Sequence, residues 1–121
     1  MIIIWFLFLL LFQILHIFEE ISMEAYKVSK LDNLNKYLIV ASVIVIFTII
    51  TLLGIVLDTQ VGYILGIMVS LLALINGIVH SVGLMRLKKM RGTIAAGFYT
   101  GIPLGILGVL CFIQVVLKLT L

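Results

Sequence analysis

The residues able to do chemistry are few, and they fall in three short stretches of an otherwise apolar chain. His16, Glu19 and Glu20 stand in His16-Ile17-Phe18-Glu19-Glu20, Asn76 and His80 stand four apart, and Thr100 follows later. Positions i and i+3 or i+4 are neighbours on a helix surface. On helices, one wall therefore offers an imidazole and two carboxylates, and a second wall offers an amide and the other imidazole. A divalent metal suits this set: catalytic zinc takes two His and one Glu with a position left for water or substrate, and a further carboxylate acts as general base. On that reading His16, Glu20 and His80 are ligands, Glu19 is the base, Asn76 orients a ligand or the substrate, and Thr100 adds a hydroxyl at the same level. Spacing leaves Glu19 and Glu20 interchangeable. A di-iron site built from Glu-x-x-His pairs is short of ligands, because the second wall carries no carboxylate. Metal-free acid–base work is the other chemistry. A carboxylate removed from water can hold a proton near neutrality, and could then shift a double bond in an isoprenoid or relay protons through a transporter.

The chain that positions these residues has 121 of them, 64% hydrophobic and 11% charged, with a mean hydropathy of +1.41. A soluble domain averages about 45–50% apolar and about 25% charged residues, and a short one has too much surface to hide so much apolar material. An ordinary soluble domain and a disordered chain are excluded, and the single Cys excludes a disulfide scaffold. The net charge of +3 comes from two clusters beside apolar runs, which argues against nucleic acid as a partner. Helices are expected over about 2–30, 37–57, 61–85 and 93–118, since a membrane span needs about 17–25 residues and strands rarely exceed about 10. Lipid admits only helices or closed barrels. The expectation is one all-α domain over residues 1–121, an integral membrane four-helix bundle. The first apolar run has no Lys or Arg before it and no small-residue cleavage site after it, so it reads as a retained helix.

Lys27, Lys30, Lys36, Arg86, Lys88, Lys89 and Arg91 fall in two connecting segments, and only Lys118 lies elsewhere. Both basic segments should face the cytoplasm and both termini the non-cytoplasmic side, in the plasma membrane if the source is bacterial. Trp5 and Tyr26 are read as the interfacial anchors of the first helix. Counted inward from Tyr26, Arg86 and Arg91 at about 1.5 Å per residue, His16 and Asn76 lie about 15 Å deep, Thr100 about 13 Å, and Glu20 and His80 about 9 Å. Intramembrane charge costs about 2.5–3.5 kcal/mol per residue at a helix centre, so the carboxylates must be paired, protonated, hydrated or metal-bound. With no Lys or Arg at that depth, a divalent ion is expected to neutralise them, zinc before other metals.

The motifs also carry a resemblance. His16-Ile17-Phe18-Glu19-Glu20 reads H-x-x-E-E, and the chain resembles the HXXEE-domain family of small multi-helix membrane proteins. That pattern includes an Asn with a His a few residues later, matched by Asn76-Gly77-Ile78-Val79-His80. A basic segment and a Pro-Gly-x-x-Thr-like element follow, matched by Ala96-Gly97-Phe98-Tyr99-Thr100, with Ala96 where the family tends to carry Pro. The resemblance implies a shared fold and an active or metal site at the His and Glu residues, and it supplies no reaction.

Taken together, the expected function is a membrane-embedded metal-dependent enzyme, hydrolase or isomerase in type, acting on a lipid or prenyl substrate. A proton-coupled small transporter and a metal-free isomerase are the alternatives. Gly97, Gly101, Gly105 and Gly108 along the last helix, and Gly62, Gly66, Ser70, Ala73, Gly77 and Ser81 along the third, allow close helix approach within the chain or in a homodimer. Pro103 frees the Tyr99 carbonyl beside Thr100. Gln13 and Gln114 are read as helix–helix hydrogen-bond partners, with Gln13 one turn before His16 and able to orient it. Cys111 is read as packing and Asp58 as a turn residue.

Overall fold

A computed structural model describes residues 1–27, 33–89 and 91–121. The elements in chain order are α1 (Ile2–Ser22), a single 3-10 turn (Ala25–Lys27), α2 (Leu34–Val56), α3 (Gln60–Leu87) and α4 (Phe98–Thr120), with no strand among the described residues. Each of the four α-helices is long and apolar enough to cross a membrane. Local chemistry sets their starts. The Asn33 side chain accepts from the Asn35 N–H ahead of α2, and the Thr59 hydroxyl accepts from the Gly62 N–H ahead of α3.

Two helices are shorter than their apolar runs suggested. The first was expected to continue to residue 30; α1 instead ends at Ser22, and Glu24 turns the chain with φ 58. Lys30, the expected end of that helix and part of the first basic segment, lies outside the described residues. The fourth helix begins at Phe98 rather than near 93, because Gly92 and Gly97 adopt φ 66 and φ 94 and interrupt regular helix between them. Gly97 is thus a helix cap and not a rung of the small-residue ladder on α4.

The bundle is held by backbone-close contacts. A Cβ on Gly77 would lie 2.7 Å from the Gly101 carbonyl oxygen, and one on Gly108 would lie 2.6 Å from that of Ser70, so the glycine faces of α3 and α4 are used against each other inside one chain. The α2–α3 hairpin is closer still: a Cβ on Gly62 would lie 2.2 Å from the Gly54 carbonyl carbon. Gly62→Ala should therefore force the hairpin apart and cost about 1–3 kcal/mol. Reversible unfolding in detergent would show it as a lowered midpoint, and an unchanged midpoint would contradict the contact.

Phe6, Leu9, Val69, Leu104, Cys111 and Val115 fill the core, which includes the packing role expected of Cys111. The outer faces are also apolar, with Ile39, Ile46, Leu53 and Ile106 each more than half exposed. That leaves a wide hydrophobic belt, far beyond the single exposed residues usual on a soluble protein. Charged groups gather at the two ends. Asp58, at φ 54, accepts from the Tyr63 hydroxyl at 2.5 Å and pairs with Lys118 at 3.3 Å. At the other end Glu24 pairs with Lys27 at 2.7 Å and Arg91 at 3.2 Å, and these two cations, Lys27 first, hold its carboxyl below the usual carboxylate range.

Candidate metal centre

All four helices send a side chain to one point. His16 and Glu20 come from α1, Tyr37 from α2, Asn76 and His80 from α3, and Thr100 from α4. Glu20 Oε1 lies 3.1 Å from His16 Nε2 and 3.0 Å from His80 Nε2. The ligand atoms of these three residues lie within 4.8 Å of one another, a grouping that could hold a metal ion. The two imidazoles are buried and meet edge to face, with centroids 4.8 Å apart.

The hydrogen bonds assign the protons. His80 Nδ1 donates to the Ile94 carbonyl at 2.7 Å. His16 Nδ1 lies 3.0 Å from Thr100 Oγ1, and because the Thr100 hydroxyl itself donates to Glu19 Oε2, its oxygen is the acceptor for the His16 Nδ1–H. Asn76 Nδ2 donates to His16 Nε2 at 2.7 Å. A neutral imidazole carries one N–H. With that N–H on Nδ1 in both rings, both Nε2 atoms are acceptors beside the same carboxylate oxygen, and that of His16 takes the Asn76 N–H. Such an arrangement could hold a cation at its middle. Sending the second ring N–H to a carbonyl, or through a hydroxyl to a carboxylate, is also how metal-binding histidines are oriented.

Glu19 and Glu20, interchangeable by spacing, have separate places. Glu20 Oε1 faces the two imidazoles and Oε2 accepts from the Tyr37 hydroxyl. Glu19 turns to α4, where Oε1 accepts from the Tyr99 N–H at 3.0 Å and Oε2 from the Thr100 N–H at 2.8 Å. The N-cap Gly97 has no side chain to offer, so the carboxylate from α1 caps α4 in its stead, the favourable end of the helix for a negative group.

A family model described as "Protein of unknown function with HXXEE motif" matches residues 5–108. The chain belongs to the HXXEE family. No curated protein and no solved structure matches it. In this HXXEE protein the motif thus divides its work, the His and the last Glu at the centre and the first Glu at the neighbouring helix.

The residues set at equal depth by the sequence are those in contact: His16 with Asn76 and Thr100, and Glu20 with His80. Three contributors were not foreseen. Tyr37 was read only as the start of the second helix, although a Tyr at the polar end of an apolar run was a usable signal. The Ile94 carbonyl is backbone and leaves no mark in a sequence. Gly97 was read as packing, yet a Cβ there would lie 2.5 Å from His16 Cε1. Gln13, expected to orient His16, does not do so through its oxygen: its buried Oε1 has no hydrogen-bond partner among the described residues. Gln13 instead lines a cavity of about 380 Å³ between α1, α2 and α3, whose polar end is formed with His16, Glu20, Tyr37 and Asn76.

Proposed function

We propose that this HXXEE protein is a membrane-embedded, metal-dependent enzyme of hydrolase or isomerase type, acting on a lipid or isoprenoid-like substrate. The observation that carries it is the convergence of two imidazole Nε2 atoms on one Glu20 oxygen, at 3.1 and 3.0 Å. His16, Glu20 and His80 would hold one divalent ion, zinc before others because mixed nitrogen and oxygen ligands suit it. When bound, the ion would polarise a substrate oxygen or lower the pKa of a water. Asn76 lies beside the His16 ligand atom and orients the ring or a substrate carbonyl. The Tyr37 hydroxyl holds the second Glu20 oxygen and is the proton donor nearest the centre. Glu19, already bonded to Tyr99 and Thr100, acts as a positioning residue through Thr100 rather than as the base.

The apolar outer belt and the four span-length helices support a bilayer location. The basic residues would put the Lys27 and Arg91 end at the cytoplasm and both termini on the opposite side, in the plasma membrane if the source is bacterial. A substrate would then arrive from the cytoplasmic leaflet through the apolar cavity. Elemental analysis of protein purified without chelator or polyhistidine tag tests the reading. Stoichiometric metal is expected in the wild type and is lost in His16→Ala and in His80→Ala. EDTA should also abolish turnover of a lipid from a membrane extract. Metal-free protein, equally stable in EDTA, would leave imidazolium groups paired with Glu20 as the account of the centre. Proton flux in proteoliposomes that disappears in Glu20→Gln would replace catalysis by transport.

A further inference from the structure

We infer that the centre is reached sideways from the bilayer, through a mouth between α2 and α3, by a single-chain lipid. Its polar end lies at the centre and its hydrocarbon toward the middle of the bundle. This deepens the enzymatic reading of the same centre and rests on its substrate being a lipid. On the α4 side the centre is closed. Gly97 and Gly101 bring backbone against His16, Ala95 and Ala96 are fully buried, and the Ile94 carbonyl is taken by His80. The α2–α3 hairpin is backbone-close at Gly54 and Gly62, whereas the cavity lies toward its opposite end, between residues 37–44 of α2 and 72–79 of α3.

The lining sets the occupant. Val40, Ile44, Leu72, Ile75 and Val79 line the cavity and are each at least 38% exposed, so the same side chains face the cavity and the surface that lipid would cover. Along the cavity the polarity runs one way. Tyr37, Glu20, His16 and Asn76 form one end, and Ile44 and Leu72 lie a turn or more further along their helices, Ile44 about 10 Å from Tyr37. The polar end points to the end of the bundle that carries Lys27 and Arg91, so a chain seated here lies as a lipid of that leaflet does. A volume of about 380 Å³ sits near the lower end of the range for small-molecule sites, about 300–1,000 Å³, which suits one hydrocarbon chain and leaves a second outside. An oxygen at the polar end, neutral or anionic, suits the proposed ion, which takes oxygen as well as nitrogen ligands. Val40 and Val79, on the two helices that flank the mouth, control access.

Photolabelling in phosphatidylcholine nanodiscs tests this with a long-chain fatty acid that carries a diazirine near its carboxyl end. Labelling of Val40 and Ile44 should saturate and be competed by the unlabelled acid. Labelling of Ile39 and Val43, exposed on α2 but outside the cavity, should rise linearly, as for any lipid at the surface. Val40→Trp should cut the saturable labelling of Ile44 about tenfold, the effect of overfilling a fitted site, and Val43→Trp should leave it unchanged. Val79→Trp narrows the mouth from α3 and serves if Val40→Trp fails to fold. Linear labelling on both faces of α2, or saturable labelling that survives both Val40→Trp and Val79→Trp, overturns the inference. A phosphatidylcholine probe bearing the same diazirine should label Ile44 no more than Val43. An excess at Ile44 that Val40→Trp removes would make a two-chain lipid the occupant and overturn the single-chain assignment. Metal measured on the same samples separates the two readings. Metal-loaded protein with linear labelling alone removes the lateral mouth and keeps the metal centre. Saturable labelling of metal-free protein keeps the mouth and removes the metal centre.

Discussion

Glu20→Gln and Glu19→Gln should fail in different ways, although the two residues are adjacent and were equivalent by spacing. Glu20 supplies the oxygen that faces both imidazoles. Its amide variant should lose bound metal outright and, with it, about 3–5 kcal/mol of stability, the cost of breaking a buried charged cluster. Glu19→Gln should retain the metal with affinity lowered about 10–100-fold, the usual effect of removing a group that orients a ligand. It should also loosen the first turn of α4 by about 0.5–2 kcal/mol, the value of a helix cap. Competition titration with a chromophoric chelator reads the first effect, and hydrogen exchange at Tyr99 and Thr100 reads the second. The reverse pattern would mean that the centre has been built on the wrong carboxylate.

Alanine at Gly97 should abolish metal binding, whereas alanine at Gly92 should spare it. Both glycines occupy left-handed backbone, φ 94 and φ 66, so each substitution bears a conformational cost of about 1–2 kcal/mol. Gly92 has nothing within 4 Å of an added Cβ, and the cost ends there. At Gly97 the added carbon would lie 2.5 Å from His16 Cε1 and 3.0 Å from Glu20 Cγ. Overpacking adds about 1–3 kcal/mol and should displace two of the three residues proposed as ligands. Thermal unfolding of the two variants beside their metal content makes the comparison. Equal losses at both positions would show that backbone strain alone governs this segment.

The helical architecture and the common level of the site residues along their helices were legible because they follow from hydropathy and from a fixed rise per residue. His16, Asn76 and His80 come together since each lies on a regular helix, where counting works. Counting fails beyond Ser22 and before Phe98, where glycine and a left-handed Glu24 break the helices that composition alone would extend. The division of labour between Glu19 and Glu20 was illegible for a related reason. Neighbouring residues on a helix point about 100° apart, and which direction meets α3 and which meets α4 is decided by packing. The cap on α4 shows this clearly: a glycine N-cap signals an orphaned helix start, but not that the carboxylate completing it lies far away in the sequence, on α1. Tyr37 reached Glu20 by the same tertiary route.

The acceptors that orient the two rings, the Ile94 carbonyl and the Thr100 hydroxyl, lie just before the last helix and in its first turn. Both histidines and Glu20 therefore precede in the chain the two acceptors that take the rings' Nδ1 protons. A chain lacking α4 and the stretch before it would carry the proposed ligands without those two acceptors. If a metal binds there as proposed, its loading is expected to be a late step of biogenesis, after α4 has docked.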